Sequence, residues 1–262
     1  MPLLQVEKLN TWFYPDRSPL GPKGKALKAV HDVSFTIDEG TTIGLIGNLG
    51  CGKSTLAQTL AKLIPATSGS VEFDGRDIIP LSQRAFRPLR KKIQIIFQNA
   101  TASFDPRRPA IATLADTVRA HHPDLSPTEV RSLARSLLDY VHVPAKDAER
   151  LPKDLDHGQA ERLSLARTLV PYPKLLIVDD TLHQLDARQQ RAFIDRFTAA
   201  RADYQLSALF IGHELPVLAK LADPILVMSR GRIVEGAPTD LLLSDPHHEF
   251  TKKLIESTLT LD

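Results

Sequence analysis

Nine consecutive residues, Gly47-Asn48-Leu49-Gly50-Cys51-Gly52-Lys53-Ser54-Thr55, have the spacing G-x-x-x-x-G-K-[ST] of a loop that cradles phosphates. The chemistry follows from the residue types. Gly47, Gly50 and Gly52 allow a close approach of backbone N–H groups that a side chain would block. Lys53 supplies a cation for the terminal phosphates, and the Ser54 hydroxyl supplies an oxygen for Mg²⁺. The spacing is not the G-x-G-x-x-G of a dinucleotide turn, and a lysine follows the last glycine. A nucleoside triphosphate is the ligand this pattern predicts.

Two further segments suit the same chemistry. Leu175-Leu176-Ile177-Val178 runs straight into Asp179-Asp180, an apolar strand that ends on two carboxylates. Asp179 is placed to hold Mg²⁺ through water, and Asp180 to stand beside an attacking water as base or orienter. Gln98 and His213 each close an apolar run as well, Ile93–Phe97 and Leu206–Ile211. Each would point into the crevice where the strands end.

These residues need strands and helices to hold them. Thr42–Ile46 reads as a buried strand before the loop, and Ser54–Leu63 as a helix after it. Leu4–Leu9 and Ala26–Ile37 read as antiparallel strands around a Pro/Gly-rich loop from Pro15 to Gly24. A short strand is predicted over Gly69–Gly75. From about Pro109 to Thr168 the periodicity becomes helical, with Val130, Leu133, Leu137 and Leu138 on one face. Ser126-Pro127-Thr128-Glu129 has the form of a capping box with proline at the first helical position. Strands then return at 175–178, 206–211, 224–228 and 232–235, and a helix from about His248 to Ser257 closes the chain. The predicted architecture is an α/β P-loop core, residues 1–108 and 169–262, with an antiparallel β subdomain and an inserted helical subdomain over 109–168.

Composition excludes several classes. Thirty-three Lys and Arg against 31 Asp and Glu give a net charge of +2, so no bulk electrostatic case for nucleic acid exists. The basic stretch Arg84–Lys92 reads as a solvated face or a strand lead-in. Cys51 is the single cysteine, which excludes an intrachain disulfide and a cysteine-based cluster. No run approaches the roughly 18 apolar residues of a membrane span, and Met1–Gln5 lacks a signal-peptide pattern. A soluble, cytoplasmic chain is expected, with any membrane role exercised through a partner.

With these motifs in this order, the chain resembles the ATP-binding subunit of an ABC transporter along essentially its whole length. The resemblance makes Gly47–Thr55 the Walker A motif, Gln98 the Q-loop glutamine, Leu175–Asp180 the Walker B strand and Leu185-Asp186 the end of the D-loop. It makes His213 the switch histidine and Phe13 the adenine-stacking ring, with Trp12 and Tyr14 as competitors. Ser54, Gln98 and Asp179 would surround Mg²⁺. Ile96-Phe97-Gln98-Asn99 and Ser103-Phe104-Asp105-Pro106-Arg107 are similar to the oligopeptide and dipeptide importers. The closing Asp245–Ile255 segment and the absence of a Cys-rich tail look most like the F subunit of the Sap subclass, a system linked to antimicrobial-peptide sensitivity.

Three departures stand out. The family's L-S-G-G-Q signature is Leu155-Asp156-His157-Gly158-Gln159 here. The second Walker B acid, usually Glu, is Asp180, with Thr181 in place of Pro. His183 occupies the position of a D-loop Ser. In ABC dimers each ATP lies between one subunit's Walker A and the other's signature, so Asp156, Gly158 and Gln159 would serve the partner's nucleotide. Asp156 in place of Ser forfeits a bond worth roughly 1.5–3 kcal/mol. Its carboxylate about 4 Å from a phosphate costs on the order of 4 kcal/mol at an effective dielectric of 20. Equally, Asp156-x-x-Gln159 has the spacing of a helix capping box. The family reading implies ATP and Mg²⁺, a second and non-identical ATPase subunit, two membrane permease subunits, any periplasmic binding protein, and a peripheral place on the cytoplasmic face of the inner membrane. Its alternative is a catalytically weak, regulatory partner of a more active ATPase subunit.

Overall fold

The computed structural model describes residues 2–14 and 26–259; the predicted loop Pro15–Gly24 lies outside the described residues. In chain order the first elements are β1 (Pro2–Phe13), β2 (Leu27–Asp38), β3 (Thr42–Ile46), α1 (Lys53–Leu60), β4 (Ser68–Phe73), β5 (Arg76–Asp77) and α2 (Gln83–Phe86). The middle of the chain forms β6 (Ile93–Ile96), α3 (Ala110–His121), α4 (Pro127–Tyr140), α5 (His157–Leu169), β7 (Leu175–Asp179) and α6 (Ala187–Tyr204). The last stretch forms β8 (Ser207–Gly212), α7 (Leu215–Leu221), β9 (Ile225–Ser229), β10 (Arg232–Ala237), α8 (Thr239–Ser244) and α9 (Glu249–Leu259).

These elements gather into two compact units, Met1–Arg90 with Ser207–Asp262, and Lys91–Leu206. The first unit holds an antiparallel sheet in the order β2-β1-β4-β5 and strands in the order β10-β9-β3-β8. β3 lies parallel to both neighbours, with Ile43 opposite Leu209 and Leu45 opposite Leu226. All five β3 residues are buried, the continuous apolar run that a strand covered on both faces requires. In the other sheet, Leu4, Val6, Leu9, Val30, Val33, Val71 and Phe73 form a sealed inner face.

The second unit pairs β6 and β7 in parallel, Ile93 to Leu175 through Ile96 to Val178, and carries α3, α4, α5 and α6. Besides residues 109–168 it takes in β6, β7 and α6. The capping box at Ser126 forms: its hydroxyl accepts from Glu129 N–H and Glu129 returns a bond to Ser126 N–H. Val130, Leu137 and Leu138 are buried as the periodicity predicts. Ala134 takes the sealed position beside them, whereas Leu133 is half-buried.

The basic stretch behaves as a solvated face. Arg84 and Arg87 are exposed, while Lys62 and Arg90 lay cations 5.7 Å from the ring of buried Phe86.

Candidate nucleotide site

The phosphate loop springs from the buried β3 and ends at α1. A Cβ at Gly47 would run into the Met228 carbonyl oxygen, and one at Gly52 into that of Ala29. Gly52 also sits at φ +113°, a left-handed conformation that side chains avoid. It is the N-cap of α1 and has no side chain to cap it, and helix N-termini of this kind suit anions. Lys53 is buried, and its Nζ donates to the carbonyls of Gly47 at 2.6 Å and Asn48 at 3.0 Å. Cys51 Sγ lies 3.8 Å from the same nitrogen.

The loop is also braced from behind. Gly231 N–H donates to Cys51 O at 2.8 Å, and His31 N–H donates to Gly231 O at 2.7 Å. Leu49 at the tip is 94% exposed. A cavity of about 670 Å³ opens beside the tip, with Arg230, Arg232, Glu249 and Lys253 among its lining residues. Ser54 is exposed and Thr55 half-buried. Phe13, at the end of β1, is 39% exposed. Its neighbour Trp12 is engaged, with Lys28 Nζ 4.7 Å from its ring and His31 packed edge-on at 6.1 Å. His213 follows β8, exposed, with Nε2 4.0 Å from Glu214 Oε1.

The second unit brings Gln98 and the acidic pair together. β7 carries Asp179 at its buried end, 2% exposed, and Asp180 follows in a left-handed conformation, φ +49°. Gln98 Nε2 donates to Asp180 Oδ2 at 3.5 Å. The Asp180 carbonyl oxygen accepts from His183 Nδ1 at 2.9 Å.

The signature segment is the N-terminus of α5. Asp156 is its N-cap: Oδ1 accepts from Gln159 N–H at 2.8 Å, and Gln159 Oε1 accepts from Asp156 N–H at 3.1 Å. The capping box that the spacing allows is therefore formed. Gln159 is buried, and its amide donates to the buried Asp147 at 2.8 Å. Asp147 in turn pairs with Arg150 at 3.0 Å. Gln189 of α6 reaches Asp156 Oδ1 at 3.4 Å and packs on Gly158 so closely that a Cβ there would meet it.

Sequence reasoning passed over two residues of α5 that hold the loop after Gln98. Glu161 Oε1 accepts from Ala100 N–H at 3.3 Å, and burial pushes its carboxyl up to about 8. Arg167 donates to Ser103 O at 2.8 Å and Ser103 Oγ at 3.0 Å, and lies 4.7 Å over the Phe104 ring. An acid and a base within the apolar rhythm Leu163-Leu165-Ala166-Leu169 were the available signal.

Comparison with known proteins decides the family. The family described as ABC transporter matches residues 30–183. The chain belongs to that family. The oligopeptide transport ATP-binding protein OppF of Salmonella typhimurium is 35% identical over 233 residues, 89% of this chain and 70% of that protein. The dipeptide transport ATP-binding protein DppF of Haemophilus influenzae is 32% identical over 257 residues, 98% of this chain and 78% of that one. The ATP-binding cassette MJ0796, in a dimeric post-hydrolysis state bound to ADP and Pi, superposes with a TM-score of 0.81 at 19% identity. It covers 90% of this chain and 98% of its own, which shows the ABC cassette fold. The protein is an ABC ATPase. Among its described residues no helix is long and apolar enough to cross a membrane.

Proposed function

We propose that this ABC ATPase energises a peptide transporter from the cytoplasmic face of the inner membrane, held there by two permease subunits, with any periplasmic binding protein as a further component. The reading is supported by its likeness to subunits named for oligopeptide and dipeptide transport. The Sap-like texture of Asp245–Ile255 narrows it to a Sap-type F subunit. Residues 109–168 act as the helical subdomain that presents the signature, and 1–108 with 169–262 as the core.

The observation that carries the nucleotide chemistry is Lys53, buried within its own glycine loop at the start of an uncapped helix. In use, the ammonium exchanges the Gly47 and Asn48 carbonyls for the β- and γ-phosphates, and α1 offers N–H groups. Phe13 supplies a face for adenine. Among the described residues no cluster of three or more His, Cys, Asp or Glu could hold a metal alone. Mg²⁺ would arrive with the phosphates and be held by Ser54, Gln98 and Asp179, neutralising charge as the γ-phosphoryl leaves. Asp180 orients or deprotonates water, Gln98 holds its carboxylate, and His213 contacts the γ-phosphate. Gly158, Gln159 and Asp156 face the nucleotide of a second, non-identical ATPase subunit.

A catalytically weak, regulatory role is the second reading, favoured by one observation. Asp156 puts a carboxylate, not a hydroxyl, at the N-terminus of α5. The test is turnover by the chain paired with its partner subunit in permease-containing proteoliposomes, with each Walker A lysine substituted in turn. Loss of peptide-stimulated turnover with Lys53→Ala supports an energising subunit. Full turnover with Lys53→Ala, abolished by the partner's substitution, supports the regulatory one.

A further inference from the structure

The residue after a Walker B strand must hold a carboxylate in one place, and here that residue has an unusual backbone. Asp180 is at φ +49°, a region non-glycine residues rarely occupy, although Asp and Asn enter it more readily than most. The next residue, Thr181, is right-handed at φ −80°, ψ −22° and fully buried. The chain therefore bends at Asp180. Two hydrogen bonds meet there: Gln98 Nε2 to the carboxylate at 3.5 Å, and His183 Nδ1 with the carbonyl oxygen at 2.9 Å.

A backbone carbonyl only accepts, so His183 must be the donor and its Nδ1 must carry the proton. This leaves Nε2 as an acceptor in the neutral ring. Three residues separate the partners, so the bond closes a single tight turn over 180–183. Rotation of the Asp180 carbonyl away from the left-handed conformation would break that bond, and the same rotation would swing the carboxylate off Gln98. We propose that His183 is a positioning residue: its Nδ1–H locks the Asp180 backbone and thereby aims the Asp180 carboxylate at Gln98. The inference rests on the reading of Asp180 as the group that handles the attacking water.

Two measurements test it, one on the purified chain and one on the chain paired with its partner ATPase subunit. In ¹⁵N spectra of the imidazole rings, with His183 assigned by its loss in His183→Leu, the neutral ring is expected to be protonated at Nδ1. In steady-state ATP hydrolysis by the chain paired with its partner subunit, the partner's Walker A lysine substituted, His183→Leu is expected to lower the maximal rate by about tenfold with KM for ATP within about twofold. His183→Asn places an amide donor where Nδ1 stood and is expected to restore the rate to within about twofold of the parent. An Nε2–H tautomer, an unchanged rate in His183→Leu, or an Asn variant as slow as the Leu variant overturns the proposal. Asp180→Asn separates it from the underlying reading. Persistent turnover in that variant removes Asp180 from the reaction, while the His183 tautomer still reports whether the turn is locked.

Discussion

The Nζ of Lys53 lies 2.6 Å from the carbonyl oxygen of Gly47, six residues back along the same loop. The cation is thus held inside a ring of its own loop backbone, which under the proposed function it would share with phosphates. Lys53→Ala removes the charge and leaves two carbonyls facing the phosphate position. We expect ATP affinity to fall by at least about tenfold, the loss of one charge-assisted contact, with the far-UV spectrum unchanged. Isothermal titration of the variant decides this, and an unaltered Kd would refute the phosphate-loop role.

Asp156 caps α5, and mutagenesis can separate that from the signature role proposed for it. As N-cap it satisfies the Gln159 N–H, so Asp156→Ala should cost about 1 kcal/mol in urea unfolding. Serine caps equally well, and Asp156→Ser should remain within a few tenths of a kcal/mol of the parent, roughly. The serine variant, with His157→Gly, then tests the signature without loss of fold. A rise in turnover at the partner's Walker A, measured with Lys53 blocked, is the expected result. No gain would mean that Asp156 serves α5 alone.

Glu161 ties stability to pH. Burial raises its carboxyl to about 8 from an ordinary 4.5, so the folded chain keeps a proton that the unfolded chain has lost. Stability from this group is full below about pH 4.5 and declines until about pH 8, by at most about 5 kcal/mol. Glu161→Gln removes the titration and keeps an acceptor for Ala100 N–H. Its unfolding free energy should be flatter than that of the parent between pH 5 and 8, on the order of 1 kcal/mol per pH unit. Parallel curves would show that the buried carboxyl does not hold its proton.

Lys62 is a structural cation. Its Nζ donates to the carbonyls of Ile78, Ile79 and Leu81 at 2.7, 2.9 and 2.6 Å, anchoring the segment after β5 to the end of α1. Lys62→Met keeps the aliphatic stem and should lose about 1–3 kcal/mol. Chemical denaturation reads the loss, and ATP affinity should be untouched. A variant as stable as the parent would show that water replaces the amine at no cost.

The parts of the fold most legible in the sequence are those where one pattern dominates. The mostly apolar Thr42–Ile46 before Gly47 and the four apolar residues before Asp179, each too short for a helix, read as buried strands, and Ser126-Pro127-x-Glu129 announced the start of α4. The 18-residue α6 was less visible, because only Phe193, Phe197 and Ala200 are fully buried and the rest is a mixture of half-buried and exposed, largely polar residues. Asp186 and Gln189 form the same type of capping box as Asp156 and Gln159, and that repetition was the missed signal. The left-handed Asp180 could not be read at all. Its conformation is set by His183 across a turn, and propensity along a single chain does not encode that bond. Phe13 was the best fit to the adenine-stacking ring, with Trp12 and Tyr14 as close competitors in the same three letters. In the fold their surroundings differ: Trp12 lies against Lys28 and His31, and Phe13 is 39% exposed.

β3, the strand that launches the phosphate loop, has no neighbour close to it in sequence. It pairs with β8 and β9, and the loop it feeds is walled by Met228 and braced by Gly231. During synthesis the ribosome must therefore add some 180 further residues before residues 47–53 gain their surroundings. At about 5–20 residues per second that is an interval of roughly 10–40 s. A nascent chain displays the complete Walker A letters throughout this interval and has no shaped pocket. The loop gains its walls only once β8, β9 and the turn at Gly231 have been made, so nucleotide binding would report that these strands have docked.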